Sequence, residues 1–379
     1  MTNQESSLLS LRGHKVGIVA MRALSDPTGI GEYTRNLLPA LQSRVEDLWV
    51  IGNATPSPPV GQRLISLPQH LRAGYRNKLL APRRLRQCKF SLLHFMTESE
   101  LYLLRPGRAK IVVTIHGCAS TTLPPELHQQ LPRHALLKYR YWLKRVDAII
   151  TVSEASKRDI VELFRVPPEK VTAIYNGIAQ SFRQRAFDQE QPKRTTGERP
   201  FLLSVGATIP KKNIVGILEA LAMLKSFRMP HRLIHVGPRD WGYSAIRHQV
   251  ELLGLQQDVE FKGLVSTDEL IQYYTNADAL VFPSFHEGFG MPILEAMACG
   301  CPVVTSNCYS MPEVVGDAAL LVDPHDSTQI AEVIHHILTD ENLRQQLIEK
   351  GRRRAQQFSW EKAADEVIAV YQRVLAVSG

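Results

Sequence analysis

Short apolar runs alternate with longer amphipathic segments along most of the chain. In the first half, these runs predict strands at 15–20, 48–52, 64–67, 92–94, 111–116, 148–152 and 171–174. In the second half, they predict strands at 201–205, 232–236, 259–262, 279–283, 303–305 and 319–322. The segments between them predict helices at 32–42, 154–164 and 292–298, the second with Ser153 as its N-cap. Alternating strands and helices are typical of parallel sheets joined by crossover helices.

A polar segment separates the two series of strands. Residues 183–199 show no apolar period, which predicts a linker. The length of 379 residues also exceeds what one hydrophobic core usually serves. The sequence therefore predicts an α/β protein with two doubly wound, Rossmann-like domains, residues 1–185 and 186–359. In such an arrangement a ligand is expected in the cleft at the carboxyl ends of the strands.

Composition favours a soluble protein: 44% of the residues are hydrophobic and 22% are charged. The chain has no run of eighteen apolar residues, and its first residues lack the apolar segment of a secretory signal, so we expect it in the cytoplasm. Its five cysteines have neither zinc-ligand nor thioredoxin spacing. We expect reduced thiols, mostly in the core; the cysteines are Cys88, Cys118, Cys299, Cys301 and Cys308.

The positive charge is concentrated in the first half. Residues 1–199 carry 30 Lys and Arg against 16 Asp and Glu, whereas residues 200–379 carry 15 against 21. Two basic stretches, 71–89 and 133–145, also contain apolar and aromatic residues. Such segments suit the surface of an anionic membrane. A solvated basic face and a nucleic-acid surface are the alternatives, and no nucleic-acid motif accompanies the charge.

The segment 279–304 carries the most informative chemistry. Its pattern predicts a buried strand, a tight turn at 287–290, a helix with Pro292 in its first turn, and a second strand. Amide groups at such a helix start, together with the helix dipole, favour a phosphate. Glu287 and Glu295 stand eight residues apart, one on the turn and one farther along the helix. Two carboxylates so placed suit two hydroxyl-bearing groups that flank a phosphate bridge. The alternative is structural: Glu287 is a carboxylate in the first turn of the helix, and Glu295 is a solvated residue on its surface.

This segment resembles glycosyltransferase family 4 in residue type and spacing over residues 281–324. The shared positions are Pro283-Ser284, Glu287-Gly288-Phe289-Gly290, Glu295-Ala296-Met297-Ala298, Gly300, Pro302-Val303-Val304, Pro312-Glu313 and Gly316-Asp317-Ala318-Ala319. The resemblance implies a retaining, nucleotide-sugar-dependent enzyme of the GT-B fold. It also implies that the final segment, 360–379, forms a helix that packs on the first domain. In the family, the first Glu of the pair contacts the donor sugar and the second holds the ribose. These roles map onto Glu287 and Glu295, with the donor loop at Gly288, Phe289, Gly290 and Met291.

Two further segments match the family's donor site. Gly206 and the pair Lys211-Lys212 resemble its glycine-to-basic diphosphate site, although Ala207 stands where many members carry Arg. Gly29 and Gly31 open a predicted helix and resemble the family's N-terminal loop. Read as a dinucleotide fingerprint, the same Gly-x-Gly lacks a third glycine and begins too far from its strand.

His116 ends a predicted strand and matches a family position beside the donor sugar; a structural role is the alternative. The resemblance thus implies Glu287, His116 and Lys212 as catalytic residues. With no Asp-x-Asp motif in the chain, neither a metal nor another cofactor is expected. Preorganised positive charge at Lys211, Lys212 and the helix N-termini would instead stabilise the leaving diphosphate.

The resemblance is strongest to members that build surface polysaccharides. It implies a hexosyltransferase with GDP-mannose as the leading donor and a glycan or lipid-linked glycan as acceptor, working in the cytoplasm or on the inner face of its membrane, without nucleic acid. UDP-sugar-dependent transfer is one alternative. A nucleotide-sugar epimerase, a glycosyl phosphorylase and a non-catalytic nucleotide-sugar-binding or membrane scaffold protein are the others.

Overall fold

The computed structural model describes residues 11–21, 23–26, 29–53, 63–67, 87–103, 107–118, 123, 133–185 and 199–376. Most of the predicted basic stretch 71–89 and of the predicted linker 183–199 lies outside these residues. The described residues separate into two compact units. Unit 1 holds those within Met1–Cys118, Leu131–Gly177 and Ser359–Gly379, and unit 2 those within Ala119–Gln130 and Ile178–Phe358.

Unit 1 is built on a parallel sheet of seven strands in the order β3-β2-β1-β4-β5-β6-β7. The strands are β1 (Lys15–Val19), β2 (Asp47–Asn53), β3 (Arg63–Leu67), β4 (Leu92–Phe95), β5 (Lys110–Ile115), β6 (Ala148–Thr151) and β7 (Val171–Ala173). Its first helices are α1 (Gly29–Gln42), α2 (Arg133–Leu143) and α3 (Glu154–Phe164). The side chain of Ser153 accepts a hydrogen bond from the amide of Ser156, so the predicted N-cap of α3 is confirmed.

Helix α1 begins three residues earlier than predicted, so Gly29 and Gly31 lie in its first turn. A close backbone approach requires glycine at position 31. A Cβ on Gly31 would stand 1.9 Å from the carbonyl oxygen of Asp26, which only glycine tolerates.

Unit 2 has a second parallel sheet, in the order β10-β9-β8-β11-β12-β13. Its strands are β8 (Phe201–Val205), β9 (Arg232–Val236), β10 (Val259–Gly263), β11 (Ala279–Phe282), β12 (Val303–Ser306) and β13 (Leu320–Val322). Its helices are α4 (Gln180–Arg185), α5 (Ile214–Ser226), α6 (Tyr243–Leu252), α7 (Thr267–Asn276), α8 (Met291–Ala298), α9 (Met311–Val315), α10 (Ser327–Thr339) and α11 (Glu341–Ala355). The buried strands are continuous apolar runs because helices cover both faces of the sheet.

Residues 183–185, predicted as linker, are the last turn of α4. This helix packs against α8, and the buried ring of Phe182 lies 6.0 Å from the ring of Tyr274. One apolar anchor in a polar six-residue segment was too little to reveal a helix. The predicted domain boundary at 185 and 186 falls at its end, whereas the longer segment of unit 2 begins at Ile178.

The last helix, α12 (Trp360–Ala376), belongs to unit 1, where it packs on α1. The buried guanidinium of Arg44 donates to Asp365 at 2.6 Å, and His94 lies 2.6 Å from the hydroxyl of Tyr371. A charged contact and a buried polar contact therefore tie the end of the chain to the first sheet. Among the described helices, none is both long and apolar enough to cross a bilayer.

Candidate functional site

The strand order of unit 2 reverses between β8 and β11. In a doubly wound sheet, ligands bind at the carboxyl ends of the strands beside such a reversal. The loops that leave these two strands are 206–213 and 283–290. The amide of Phe285 donates to the carbonyl of Lys211 at 2.9 Å, so the two loops are held together at this edge.

Lys212 and Glu287 form an ion pair in which Nζ lies 2.6 Å from Oε1. Gly206, with φ of +142°, makes room for the lysine stem, since a Cβ there would lie 3.0 Å from its Cε. Asn213 follows with φ of 54° and its side chain caps α5. The chain thus turns sharply after Lys212 and leaves the ammonium over the carboxyl end of the sheet. Lys211 also contributes, with Nζ 3.9 Å from the other oxygen of Glu287.

Glu287 is held ionised although its side chain is only 10% exposed. Burial opposes ionisation, but the charges of Lys212 and Lys211 lower the pKa of the carboxyl to about 2. Burial lowers the pKa of Lys211, and the charge of Glu287 opposes that shift. Two ammonium groups against one carboxylate leave this cluster with net positive charge. A nearly buried excess of one positive charge favours an anionic ligand.

Ser310 fixes the backbone of the loop that carries Glu287. Its completely buried hydroxyl lies 2.9 Å from the carbonyl oxygen of Glu287 and 3.0 Å from that of Phe289. In a trans peptide, the carbonyl and the following N–H point in opposite directions. The amides of Gly288 and Gly290 therefore point away from Ser310. The resemblance implies a phosphate contact only through backbone amides for the helix that begins with Ser310-Met311-Pro312-Glu313, so it did not indicate this hydroxyl.

Gly290 precedes the first residue of α8, and Glu295 is the fifth residue of this helix. Gly290 precedes the helix with φ of +105°, a conformation suited to glycine, and Pro292 lies in the first turn. The hydroxyl of Tyr274 donates to Oε2 of Glu295 at 2.8 Å. Burial and the charge of Glu295 raise the pKa of Tyr274 well above its usual value. This phenol stays a donor and fixes the orientation of the carboxylate.

Two buried polar residues support the loops after β8 and β9, and sequence reasoning missed both. Thr208 accepts from the amide of Asp240 at 2.7 Å through its hydroxyl and from Gly242 at 3.0 Å through its carbonyl. His235 lies 3.2 Å from the hydroxyl of Ser204, and burial lowers the pKa of this imidazole to about 4. The one available signal was a His inside the apolar run of β9.

His116 occupies the corresponding edge of unit 1, directly after β5. Its Nε2 lies 2.9 Å from the carbonyl oxygen of Met96, and the ring of Tyr33 contacts it edge-on at 4.7 Å. Burial lowers the pKa of His116 to about 4, against the opposing effects of the Met96 carbonyl and Asp26. The ring is therefore neutral near pH 7, and with Nε2 donating to a carbonyl, Nδ1 is a hydrogen-bond acceptor.

The predicted site residues thus fall into two groups. Unit 2 brings Lys211, Lys212 and Glu287 into contact, with Gly206 under Lys212 and residues 288–291 and Glu295 continuing into α8. Unit 1 holds His116, Gly29 and Gly31. Among the described residues, no group of three or more His, Cys, Asp and Glu side chains is arranged to hold a metal ion.

Family models match almost the whole chain. The glycosyltransferase family 4 model matches residues 27–182, and the model for glycosyl transferases group 1 matches residues 186–354. O-antigen chain mannosyltransferase B of Escherichia coli is 32% identical over 299 residues, which cover 78% of each protein. The chain belongs to glycosyltransferase family 4. It is therefore a glycosyltransferase, as its sequence predicted.

Other relatives of this family 4 member match over shorter stretches. O-antigen chain mannosyltransferase RfbU of Salmonella typhimurium is 34% identical over 59% of this chain and 60% of its own length. The serotype-specific mannosyltransferase WbdA of Escherichia coli is 32% identical over 62% of this chain, which spans only 30% of that longer protein.

Solved structures share the fold of this family 4 chain at low identity. The sucrose-phosphate synthase of Thermosynechococcus elongatus has a TM-score of 0.76 at 22% identity, covering 96% of this chain and 100% of the other. HepE of Anabaena, in complex with UDP and glucose, has a TM-score of 0.74 at 20% identity, covering 94% and 99%. The predicted GT-B fold, with two Rossmann-like parallel sheets, is confirmed.

Proposed function

We propose that this enzyme transfers mannose from GDP-mannose, with retention of anomeric configuration and without a metal ion, to a lipid-linked glycan in surface polysaccharide synthesis. Three relatives named as mannosyltransferases support the sugar. Two of these names also specify the O-antigen chain, which supports a surface glycan as the acceptor.

The observation that carries the proposal is the cluster of Lys211, Lys212 and Glu287. Transfer breaks the bond between the anomeric carbon and a phosphate oxygen, so negative charge develops on the departing nucleoside diphosphate. Both lysines lie in one nearly buried site beside the start of α8. Preorganised cations in such a site stabilise developing charge without reorganisation in the transition state. In this scheme the lysines replace a metal ion at the diphosphate.

The two carboxylates take different roles. Glu287, held ionised by the lysines, orients the donor sugar and stabilises positive charge on the ring as the phosphate departs. Glu295, oriented by Tyr274, binds the ribose hydroxyls. The backbone from Gly288 to Met291 and at Gly206 approaches the diphosphate, where side chains would obstruct it. Gly29, Gly31 and His116 serve the donor from unit 1, His116 as a neutral acceptor for a sugar hydroxyl.

The domains divide the work accordingly. Residues 186–359 bind the nucleotide sugar, and residues 1–185 with the terminal segment 360–379 serve the acceptor. The enzyme acts in the cytoplasm, in peripheral contact with the inner face of the membrane through its basic N-terminal half. This location suits an acceptor whose lipid remains in the bilayer.

Calorimetric titration with GDP, UDP, ADP and NAD tests the donor site first. We expect GDP to bind and Glu295→Ala to weaken it. A one-hour assay with GDP-mannose and chelator, followed by NMR of the new anomeric proton, then tests transfer, retention and metal independence. If UDP bound more tightly than GDP, the donor would be a UDP-sugar and not GDP-mannose. Binding of nucleotide without turnover on any glycan acceptor would instead support the scaffold alternative.

A further inference from the structure

Helix α2 presents one basic and apolar face to solvent. We call it the α2 face and define it by its six exposed residues: His134, Leu137, Lys138, Tyr141, Lys144 and Arg145. At 100° per residue, these positions fall within about a third of the helix circumference, with the last two continuing the face just past the helix end. They form a single surface.

The opposite side of α2 is anchored in the core of unit 1. Leu143 is fully buried there, and Leu136 and Trp142 pack against the same core. The guanidinium of Arg140 donates to the carbonyl of Leu163 at 2.8 Å, which fixes α2 against α3. The exposure of the α2 face is therefore set by a rigidly packed helix.

Two large apolar side chains on this face are open to solvent. Leu137 is 64% exposed and Tyr141 is 51% exposed. Among the eight large apolar side chains that stand out in this way in the described structure, these two alone belong to unit 1. The other six lie in unit 2, so among the described residues the apolar exposure of unit 1 is concentrated on α2.

Three cations surround the apolar pair, and no carboxylate shares the face. Residues 127–146 contain no acidic residue at all. The nearest following one, Asp147, already accepts from the amide of Ile111 and pairs with Lys110 at 3.3 Å. The guanidinium of Arg145 lies 3.5 Å from the centre of the Tyr141 ring, so cation and aromatic are presented together.

We infer that the α2 face docks the enzyme on an anionic lipid surface, with Leu137 and Tyr141 entering the interface and Lys138, Lys144 and Arg145 meeting the phosphate headgroups. Charge complementarity selects an anionic partner, and the exposed apolar pair selects a bilayer over nucleic acid, whose backbone offers Leu137 nothing apolar to contact. This inference deepens the proposed function by naming the surface that meets the membrane.

Sedimentation with vesicles tests the inference on the full chain without donor or acceptor, so its outcome is independent of the transferase proposal. Vesicles of equal parts phosphatidylglycerol and phosphatidylcholine are expected to bind the protein, and pure phosphatidylcholine is not. Changing Lys138, Lys144 and Arg145 to Gln should weaken binding about 100-fold, because each cation contributes roughly fivefold. The double variant Leu137→Ser/Tyr141→Ser should weaken it about tenfold, by loss of the apolar contact.

A matched control comes from unit 2. Phe227 and Leu252 are 55% and 66% exposed, so Phe227→Ser/Leu252→Ser removes similar apolar exposure elsewhere and should leave vesicle binding unchanged. Tm and the circular dichroism spectrum should be unchanged in all three variants, which shows that each is folded. The inference is overturned if the protein does not bind anionic vesicles or if the α2 variants bind them as well as the parent does. It is also overturned if single-stranded RNA competes fully with the vesicles.

Discussion

The two units place opposite chemistry at the carboxyl ends of their sheets. In unit 2, a nearly buried carboxyl keeps its charge, since the pKa of Glu287 is lowered to about 2. In unit 1, a half-buried imidazole loses its charge, since desolvation lowers the pKa of His116 to about 4. At neutral pH one edge is ionic and the other is neutral.

The difference lies in the partners. Desolvation is the largest influence on both groups. Glu287 overcomes it because an ammonium lies 2.6 Å away and a second lies 3.9 Å away. His116 has a neutral carbonyl at 2.9 Å and the charge of Asp26, whose combined effect is too small to compensate. Burial therefore does not decide charge alone, and the nearest opposite charge does.

This contrast fits the two halves of a glycosyl transfer. A departing diphosphate requires a site with preorganised positive charge. Sugar hydroxyls require neutral hydrogen-bonding groups whose direction is fixed, and a neutral His with a defined tautomer is one. The comparison leads to four predictions, from the largest expected effect to the smallest.

Lys212→Ala should remove the ionic character of the unit 2 edge. It leaves the buried carboxylate of Glu287 without its closest partner, and breaking such a pair costs about 3–5 kcal/mol. We expect kcat/KM to fall about 100- to 1,000-fold, with the pKa of Glu287 rising toward its usual value. Lys225→Ala is the matched control. The ammonium of Lys225 lies 2.6 Å from a carboxylate oxygen of Asp258, the same ion-pair distance, but this pair lies outside the site. Equal losses in the two variants would contradict a special role for the Lys212 pair.

Glu287→Ala and Glu295→Ala should change different quantities, the first mainly kcat and the second mainly the affinity for GDP. In the proposed function Glu287 orients the donor sugar, so its loss should reduce kcat more than nucleotide affinity. Glu295 is proposed to bind the ribose, so its loss should weaken GDP binding about 10- to 100-fold, the value of one charged hydrogen bond. Steady-state kinetics with calorimetry separates the effects. If both variants changed only GDP affinity, and equally, the division of roles would be wrong.

The strands of both sheets were well predicted because fully buried parallel strands are continuous apolar runs. The predicted ranges 201–205 and 232–236 coincide with β8 and β9. Helix ends were less accurate, as at α1, because its first turn contains Gly29 and Gly31, and glycines at such positions favour a loop over a helix. Polar α4 was missed because its stability comes from packing on α8.

The site was predicted only in part. The resemblance indicated Lys212 and Glu287 separately, but 75 residues separate them and no spacing rule shows that they form an ion pair. For the helix that begins at Ser310, the resemblance implied a contact through backbone amides only. Its hydroxyl instead reaches the carbonyls of Glu287 and Phe289, 23 and 21 residues earlier. Contacts between distant loops depend on the folded sheet.

Ser310→Ala should loosen the loop that carries Glu287 without removing a charged group. Loss of the hydroxyl removes the donor that holds two loop carbonyls, at a cost of about 1–3 kcal/mol. We expect kcat to fall about tenfold, since the amides of Gly288 and Gly290 lose their fixed direction. Thr305→Ala is the control: its buried hydroxyl donates to the carbonyl of Phe282 at 2.9 Å within the sheet. It should lower Tm similarly but leave kcat less affected, and the reverse ranking would show that Ser310 is only structural.

The protonation state of His116 should not change across the usual pH range. A lowered pKa means that His116 stays unprotonated as the pH falls, until the pH approaches about 4. Because the neutral ring offers Nδ1 as an acceptor, kcat/KM should show no His116 inflection between about pH 5 and pH 8, although a free His titrates near 6.5. Below this range, protonation should lower the rate, while Glu287, with a pKa of about 2, remains ionised. Rate profiles of the parent and His116→Gln check this, since Gln cannot titrate. An inflection near pH 6.5 that disappears in His116→Gln would mean that unit 1 also works through charge, and the contrast between the two edges would fail.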